Sequence, residues 1–230
     1  MRKLLFALLL PLLFLCGCNK QDSVTYTGLE AGSIENGVFL SDSFTRMNVV
    51  GNEGKFDVQT NRRVLVSFRT LPVTDSKRID IDLLGLWEST SLAPVPAESL
   101  PGGPDGSPLQ VSDAWFAAGY LNILASYTAK DESLHTLNAA YSASESEIVV
   151  RLRHDGSQDT ATGDKVVDLF LCIPMDEPIA SYDQQAISSG KKQGSYPASV
   201  LLQWTSYTQE GGPLTLFERK GSYTPSASKN

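Results

Sequence analysis

Along most of the chain, apolar and polar positions alternate in short runs separated by Gly, Asn, Asp and Ser. A period of two over a few residues is the mark of a half-buried strand, and the separators are turn formers. Glu30 to Glu35 ends at Asn36-Gly37, a dipeptide suited to a two-residue hairpin turn. Val38-Phe39-Leu40 follows, then the turn Ser41-Asp42-Ser43, a strand from Phe44 to Val50, and a second turn at Gly51-Asn52-Glu53-Gly54. From Arg63 to Arg69 the pattern places Val64, Val66 and Phe68 on one face and Leu65, Ser67 and Arg69 on the other. Arg78 to Leu84 begins with the same alternation, so it is read as a fifth strand rather than a helix. Five strands within residues 27–90 predict a five-stranded barrel of the OB type.

Residues 91–108 break the pattern with Pro94, Pro96, Pro101, Pro104 and Pro108 among glycines. Proline cannot donate to a strand ladder or sit inside a helix, so this stretch is expected to connect two domains. Longer strands resume in residues 109–225: Ala114 to Thr128 with a bend near Gly119, Leu134 to Ser142, Glu147 to Asp155, Lys165 to Pro174, Ser199 to Gln209 and Pro213 to Tyr223. Their number and length predict an antiparallel β-sandwich. Asp176 to Gln193 is polar and reads as an excursion loop, no helix beyond a turn or two is expected, and residues 226–230 read as a disordered tail. The fold class expected is therefore all-β, an N-terminal five-stranded OB-like barrel followed by a C-terminal antiparallel β-sandwich.

The start of the chain has a different character. Met1-Arg2-Lys3 precedes an apolar run from Leu4 to Leu15, shorter than the roughly 20 residues that span a bilayer and matching the apolar region of a signal peptide. It ends at Leu15-Cys16-Gly17-Cys18 and turns polar at Asn19. This resembles the lipobox of bacterial lipoproteins, which implies removal of residues 1–17, acylation of Cys18, and a tether over residues 18–26. Each buried acyl CH₂ adds about 0.8 kcal/mol of membrane affinity. The expected location is the cell envelope, lipid-anchored at the outer membrane, with the face undecided.

Charge narrows the partners. Loss of Arg2 and Lys3 takes the formal charge from −7 to −9, the wrong sign for nucleic acid. Once Cys16 leaves and Cys18 carries lipid, Cys172 is the sole free thiol, so no internal disulfide can form. It lies in the apolar run Val166 to Ile173 and reads as a buried strand residue rather than a nucleophile.

Candidate chemistry is sparse. His135 and His154 are the only histidines, and on neighbouring strands they could join Asp155 and Asp159 in a metal or polar site. A histidine near a strand end that orients a loop is the more frequent arrangement. Asp155, Asp159 and Asp164 share one loop, which invites a Ca²⁺ reading, although no closing Glu completes an EF-hand. There is no nucleophile elbow, phosphate loop or dinucleotide fingerprint. Trp115, Tyr120 and Trp204 could form an aromatic surface for a glycan or an envelope protein, and Trp87 would close the last barrel strand near the interdomain seam. No cofactor is implied.

In the second half, Val111-Ser112-Asp113-Ala114-Trp115 leads into Gly119-Tyr120-Leu121-Asn122-Ile123, then His135-Thr136-Leu137, then Leu152-Arg153-His154-Asp155 with Asp159. With the lipobox and Arg63-Val64-Leu65-Val66, this order resembles the NigD-like lipoproteins of Bacteroidales over essentially the whole chain. The resemblance implies an OB-like domain before a β-sandwich and a gut or oral Bacteroidales source. It implies no activity. The function expected is non-enzymatic binding or scaffolding at the envelope. The alternatives are an enzyme using His135, His154 and nearby carboxylates, or a bacteriocin-associated accessory or immunity protein.

Overall fold

The computed structural model describes residues 25–72, 78–100, 106–159, 165–192, 194, 198–209 and 212–223. The leader, Cys18, Asp164 and the 226–230 tail lie outside the described residues, as does most of the tether. The described residues are all-β apart from one α-helix and two short 3₁₀ turns.

The first five strands are β1 (Thr27–Glu35), β2 (Val38–Ser41), β3 (Arg46–Asn52), β4 (Arg62–Thr70) and β5 (Ile79–Ser91). All five runs read from the alternation are strands. Asn36 and Gly37 both have positive φ, +50° and +73°, as the primed hairpin turn between β1 and β2 requires. β1 pairs with β2 and β4, β2 with β3, and β4 with β5, all antiparallel. β3 also pairs with β5, in parallel, and this closes the five strands into a ring. Ile34, Phe39, Met47, Val64, Val66, Phe68, Ile81 and Leu83 fill its interior. The alternation of β4 is realised: Val64, Val66 and Phe68 point inward, and Leu65 is buried on the outer side in a different cluster.

One position in the ring requires glycine. A Cβ at Gly32 would lie 2.2 Å from the Leu40 carbonyl oxygen and 2.8 Å from the Ser41 Cα. Backbone cannot swing aside as a side chain can, so Gly32→Ala is expected to cost about 1–3 kcal/mol. Gly37→Ala meets no atom within 4 Å and should cost only the φ penalty of about 1–2 kcal/mol. Urea denaturation of the two variants checks the order.

The remaining strands are β6 (Pro94–Pro96), β7 (Gln110–Ala117), β8 (Tyr120–Ala129), β9 (Thr136–Ala143), β10 (Glu147–Asp155), β11 (Lys165–Pro174), β12 (Ala198–Tyr207) and β13 (Leu214–Tyr223). They form two layers. One layer has the order β13-β12-β10-β9-β6; in the other, β11, β8 and β7 extend the sheet of the ring through β5. Between the layers lie Leu121, Ile123, Leu171 and Ile173 from one side and Ile148, Val150, Val200 and Leu202 from the other. Phe170 and Cys172, on the opposite face of β11, pack with Ala31 and Leu65 of the ring. Burial on both faces explains why β11 reads as a continuous apolar run.

Four expectations are corrected. The bend near Gly119 is a hairpin turn between β7 and β8, with Ala118 at φ +50° and Gly119 at +83°. The second half is not wholly antiparallel, because β10 pairs with β12 and β6 with β9 in parallel. Residues 91–108 do more than connect: Ser91 ends β5, and β6 forms a sheet edge where proline's missing N–H is harmless. Nor is Asp176 to Gln193 a loop. Asp176–Ser188 forms α1, burying Pro178, Tyr182 and Ala186 at four-residue spacing. Two acids and Pro178 occupy its first turn, where proline is tolerated. The helix ends in a Schellman motif: Gly190 at φ +82° donates to Ile187 O and Lys191 to Ala186 O. No helix among the described residues is long and apolar enough to cross a membrane.

Candidate functional site

The two histidines come together at one end of the layers. His154 sits near the end of β10; His135 follows the Glu132–Leu134 3₁₀ turn, which Asp131 caps by accepting from Ser133 N at 3.0 Å. His135 Nδ1 and His154 Nε2 are 2.9 Å apart. His154 Nδ1 donates to Pro108 O at 2.9 Å, and His135 Nε2 meets Asp159 Oδ2 at 3.0 Å. The same Asp159 oxygen accepts from the backbone N–H of Lys130 at 2.7 Å and of Asp131 at 3.1 Å. The Tyr127 ring lies against both imidazoles, with centroids 4.7 and 4.5 Å away. Gly156 closes on the other side, where a Cβ would lie 2.5 Å from the His135 ring.

Proton counting defines the state of this line. The Pro108 carbonyl and the Asp159 carboxylate only accept. Three hydrogen bonds in series therefore need three protons, and two neutral imidazoles supply two. All three bonds form together only when the pair carries one proton beyond the two of the neutral rings. A second added proton would sever the His–His bond. Burial holds His154 below its ordinary value against the pull of the Pro108 carbonyl, and the His135 charge adds to the depression. The hydrogen bond from His135, helped by the Lys130 and Asp131 amides, holds Asp159 at about 2.

The arrangement ties loops together rather than opening a reaction site. His154 is 3% exposed, and the side chains of His135 and Asp159 are each 6% exposed. The cavity touching His154 holds about 10 Å³, room for about one water. The four ring nitrogens face partners instead of a common point, and among the described residues no group of three or more His, Cys, Asp or Glu is placed to hold a metal ion. Asp155 stands apart from the pair and accepts from Ser157 N at 3.0 Å. Three of the four residues singled out in the sequence, His135, His154 and Asp159, thus share one hydrogen-bonded line.

The aromatic trio does not form one surface. Trp204 is 9% exposed in the interlayer core, stacked on Phe217. Trp115 stacks on Phe170 at the seam with the ring. Tyr120 carries the Arg63 guanidinium 4.2 Å above its face. Arg63 is the centre of a polar cluster that joins the two halves. It donates to both Asp42 oxygens at 3.0 and 2.7 Å, to Asn122 Oδ1 at 2.6 Å and to Cys172 Sγ at 3.1 Å. Burial pushes the Cys172 thiol up, against the pull of Arg63, and Sγ is 3.3 Å from Asn122 Oδ1, to which it donates. A buried, neutral thiol is not a nucleophile.

Trp87 is instead the exposed tryptophan, at 48% exposure. A Cβ at Gly85 would lie 2.7 Å from its indole, so the ring lies close over the glycine backbone. It lines a cavity of about 590 Å³ that runs from the ring across to β7.

No protein-family model matches the chain, and no curated protein matches its sequence. Solved structures do match. A NigD-like immunity protein from Bacteroides caccae superposes with a TM-score of 0.61 at 17% identity, over 87% of this chain and 97% of that one. A protein of unknown function from Bacteroides vulgatus gives 0.59 at 12% identity, over 89% and 93%. A candidate lipoprotein from Bacteroides fragilis gives 0.54 at 13% identity, over 85% and 97%. The resemblance carried by Gly119-Tyr120-Leu121-Asn122 and Leu152-Arg153-His154 therefore extends to three dimensions, and the chain has the fold of the NigD-like proteins of Bacteroidales.

Proposed function

We propose that this protein is a lipid-anchored lipoprotein of the cell envelope that binds or scaffolds another molecule and performs no chemistry of its own. In this reading the ring of β1 to β5 is an OB-like barrel, the two-layer region is a β-sandwich, and acylated Cys18 holds both at the outer membrane. The observation that carries it is the use made of the reactive side chains. His135, His154 and Asp159 satisfy one another under Tyr127, and Cys172 is buried beneath Arg63, while among the described residues the open cavity beside Trp87 is lined by neither histidine nor cysteine.

Expression of the full chain in a Bacteroides host with an alkyne-tagged palmitate tests the anchor. The wild type is expected to take up label and partition with membranes, and Cys18→Ser to lose both. Label retained by Cys18→Ser overturns the reading. Capture of partners from the native envelope, with proteolysis of whole cells, tests the binding role and its face; resistance in whole cells places the domains in the periplasm.

A second reading is an immunity role, favoured by the fold shared with the Bacteroides caccae protein, whose name carries that function.

A further inference from the structure

We propose that the trough beside Trp87 is a binding site for an extended peptide that alternates apolar and basic side chains. The proposal rests on the binding reading above and specifies its ligand.

The trough follows from the continuity of the sheet. β1, β4, β5, β11, β8 and β7 are successive neighbours, and each places at least one residue in the lining. Six strands at about 4.8 Å spacing give a surface about 24 Å wide. An extended peptide rises about 3.3 Å per residue, so about seven residues would cross it. A volume of about 590 Å³ falls in the range of about 300–1,000 Å³ typical of ligand sites, and the seam between two structural units is a favoured location.

The floor is apolar and firm. Leu65 and Phe170 are 6% and 4% exposed and belong to the cluster that joins the two halves. Leu29 and Trp87 stand above it at 55% and 48%. An apolar patch left open in this way marks an interaction surface. Trp87 lies over Gly85, and an aromatic side chain has only two rotatable angles to fix when a ligand packs on it.

The polar lining determines the charge of the occupant. Among the described residues it consists of Glu88 and Asp168 with Ser112 and Ser126, with no Lys, Arg or His. Glu88 is engaged by Arg62. Asp168 is exposed on β11, three strands from Leu29 on β1. A carboxylate beside an apolar floor favours a cation on an apolar stem and repels an acidic ligand. An oligosaccharide needs a denser set of hydrogen-bonding groups than four polar side chains set among apolar ones.

The test is calorimetric titration of the folded protein with two capped heptapeptides, one alternating Leu with Lys and one alternating Leu with Glu, and with a neutral hexasaccharide. Binding of the Leu/Lys peptide alone is expected. Trp87→Ala should weaken it by at least about tenfold and Asp168→Asn by about three- to fivefold, with circular dichroism unchanged for both. Absence of Leu/Lys binding, equal binding of the acidic peptide or the saccharide, or insensitivity to both substitutions overturns the proposal. So does a dimer in light scattering that Trp87→Ala dissolves, since a second copy would then fill the trough. A partner captured from the envelope equally well by wild type and Trp87→Ala would leave the general binding role standing and remove this site.

Discussion

Replacing Asp42 with alanine is expected to destabilise the protein by about 3–5 kcal/mol, the usual result of stranding one member of a buried ion pair. The side chains of Arg63 and Asp42 are 14% and 10% exposed. Two of the four polar contacts of Arg63 go to Asp42; the others, to Asn122 and Cys172, reach across to β8 and β11. Without Asp42 the guanidinium keeps its charge, because arginine does not deprotonate in proteins. It must then stay buried uncompensated or leave the Tyr120 face and open the seam. The double replacement Asp42→Ala with Arg63→Met removes charge as well as partner and should cost less than Asp42→Ala alone. Guanidinium denaturation of wild type, single and double variants measures the difference. A double variant less stable than the single one would mean that Arg63 contributes through packing on Tyr120 rather than through its charge.

His154→Ala is expected to cost about 2–4 kcal/mol, since it leaves the Pro108 carbonyl and His135 Nδ1 without partners and removes a ring packed on Tyr127. The same site sets a pH dependence. Burial places the folded value of His154 below the unfolded value of about 6.5. The unfolded chain therefore binds more protons once pH drops below that point, and stability falls with pH. His154's contribution is full above about pH 6.5 and is lost progressively below it. Asp159, held at about 2 against an unfolded value of 3.8, contributes fully above 3.8 and loses its share as pH falls toward 2. Thermal unfolding from pH 8 to 3 should show the first decline in the wild type, beginning below pH 6.5, and its absence in His154→Ala. A wild type whose melting temperature is flat from pH 7 to 5 would show that the second proton does not break the pair.

Much of the fold is legible from local pattern. The period of two located all five strands of the ring, and Asn36-Gly37 announced its hairpin. The apolar run from Val166 to Ile173 placed Cys172 in a strand and buried, as it is. What misled was short-range chemistry read alone. Ala118-Gly119 sits inside one apolar stretch and looks like a bend, because alanine is rarely a turn residue at positive φ. In α1 only Pro178, Tyr182 and Ala186 are buried, so the polar majority hid the helical spacing. The signal that would have found it was present: acids and proline in the first turn, and Gly190 two residues past the end.

The sequence by itself determined most of the strands and which face of each is apolar, because alternation is a property of neighbours along the chain. It also carried the lipobox pattern and the acidic charge. Pairing was decided only in three dimensions. Nothing local states that β3 runs parallel to β5, or that the end of β5 joins β11, since register is set by burial and hydrogen bonding between distant segments. The same holds for the sites. His135 and His154 meet across 19 residues and Arg63 and Cys172 across 109. Trp87 gained its place in a trough from six strands contributed by both halves of the chain. Tertiary packing closed the histidines under Tyr127 and left that tryptophan open, because each side chain's exposure depends on what the rest of the fold lays against it.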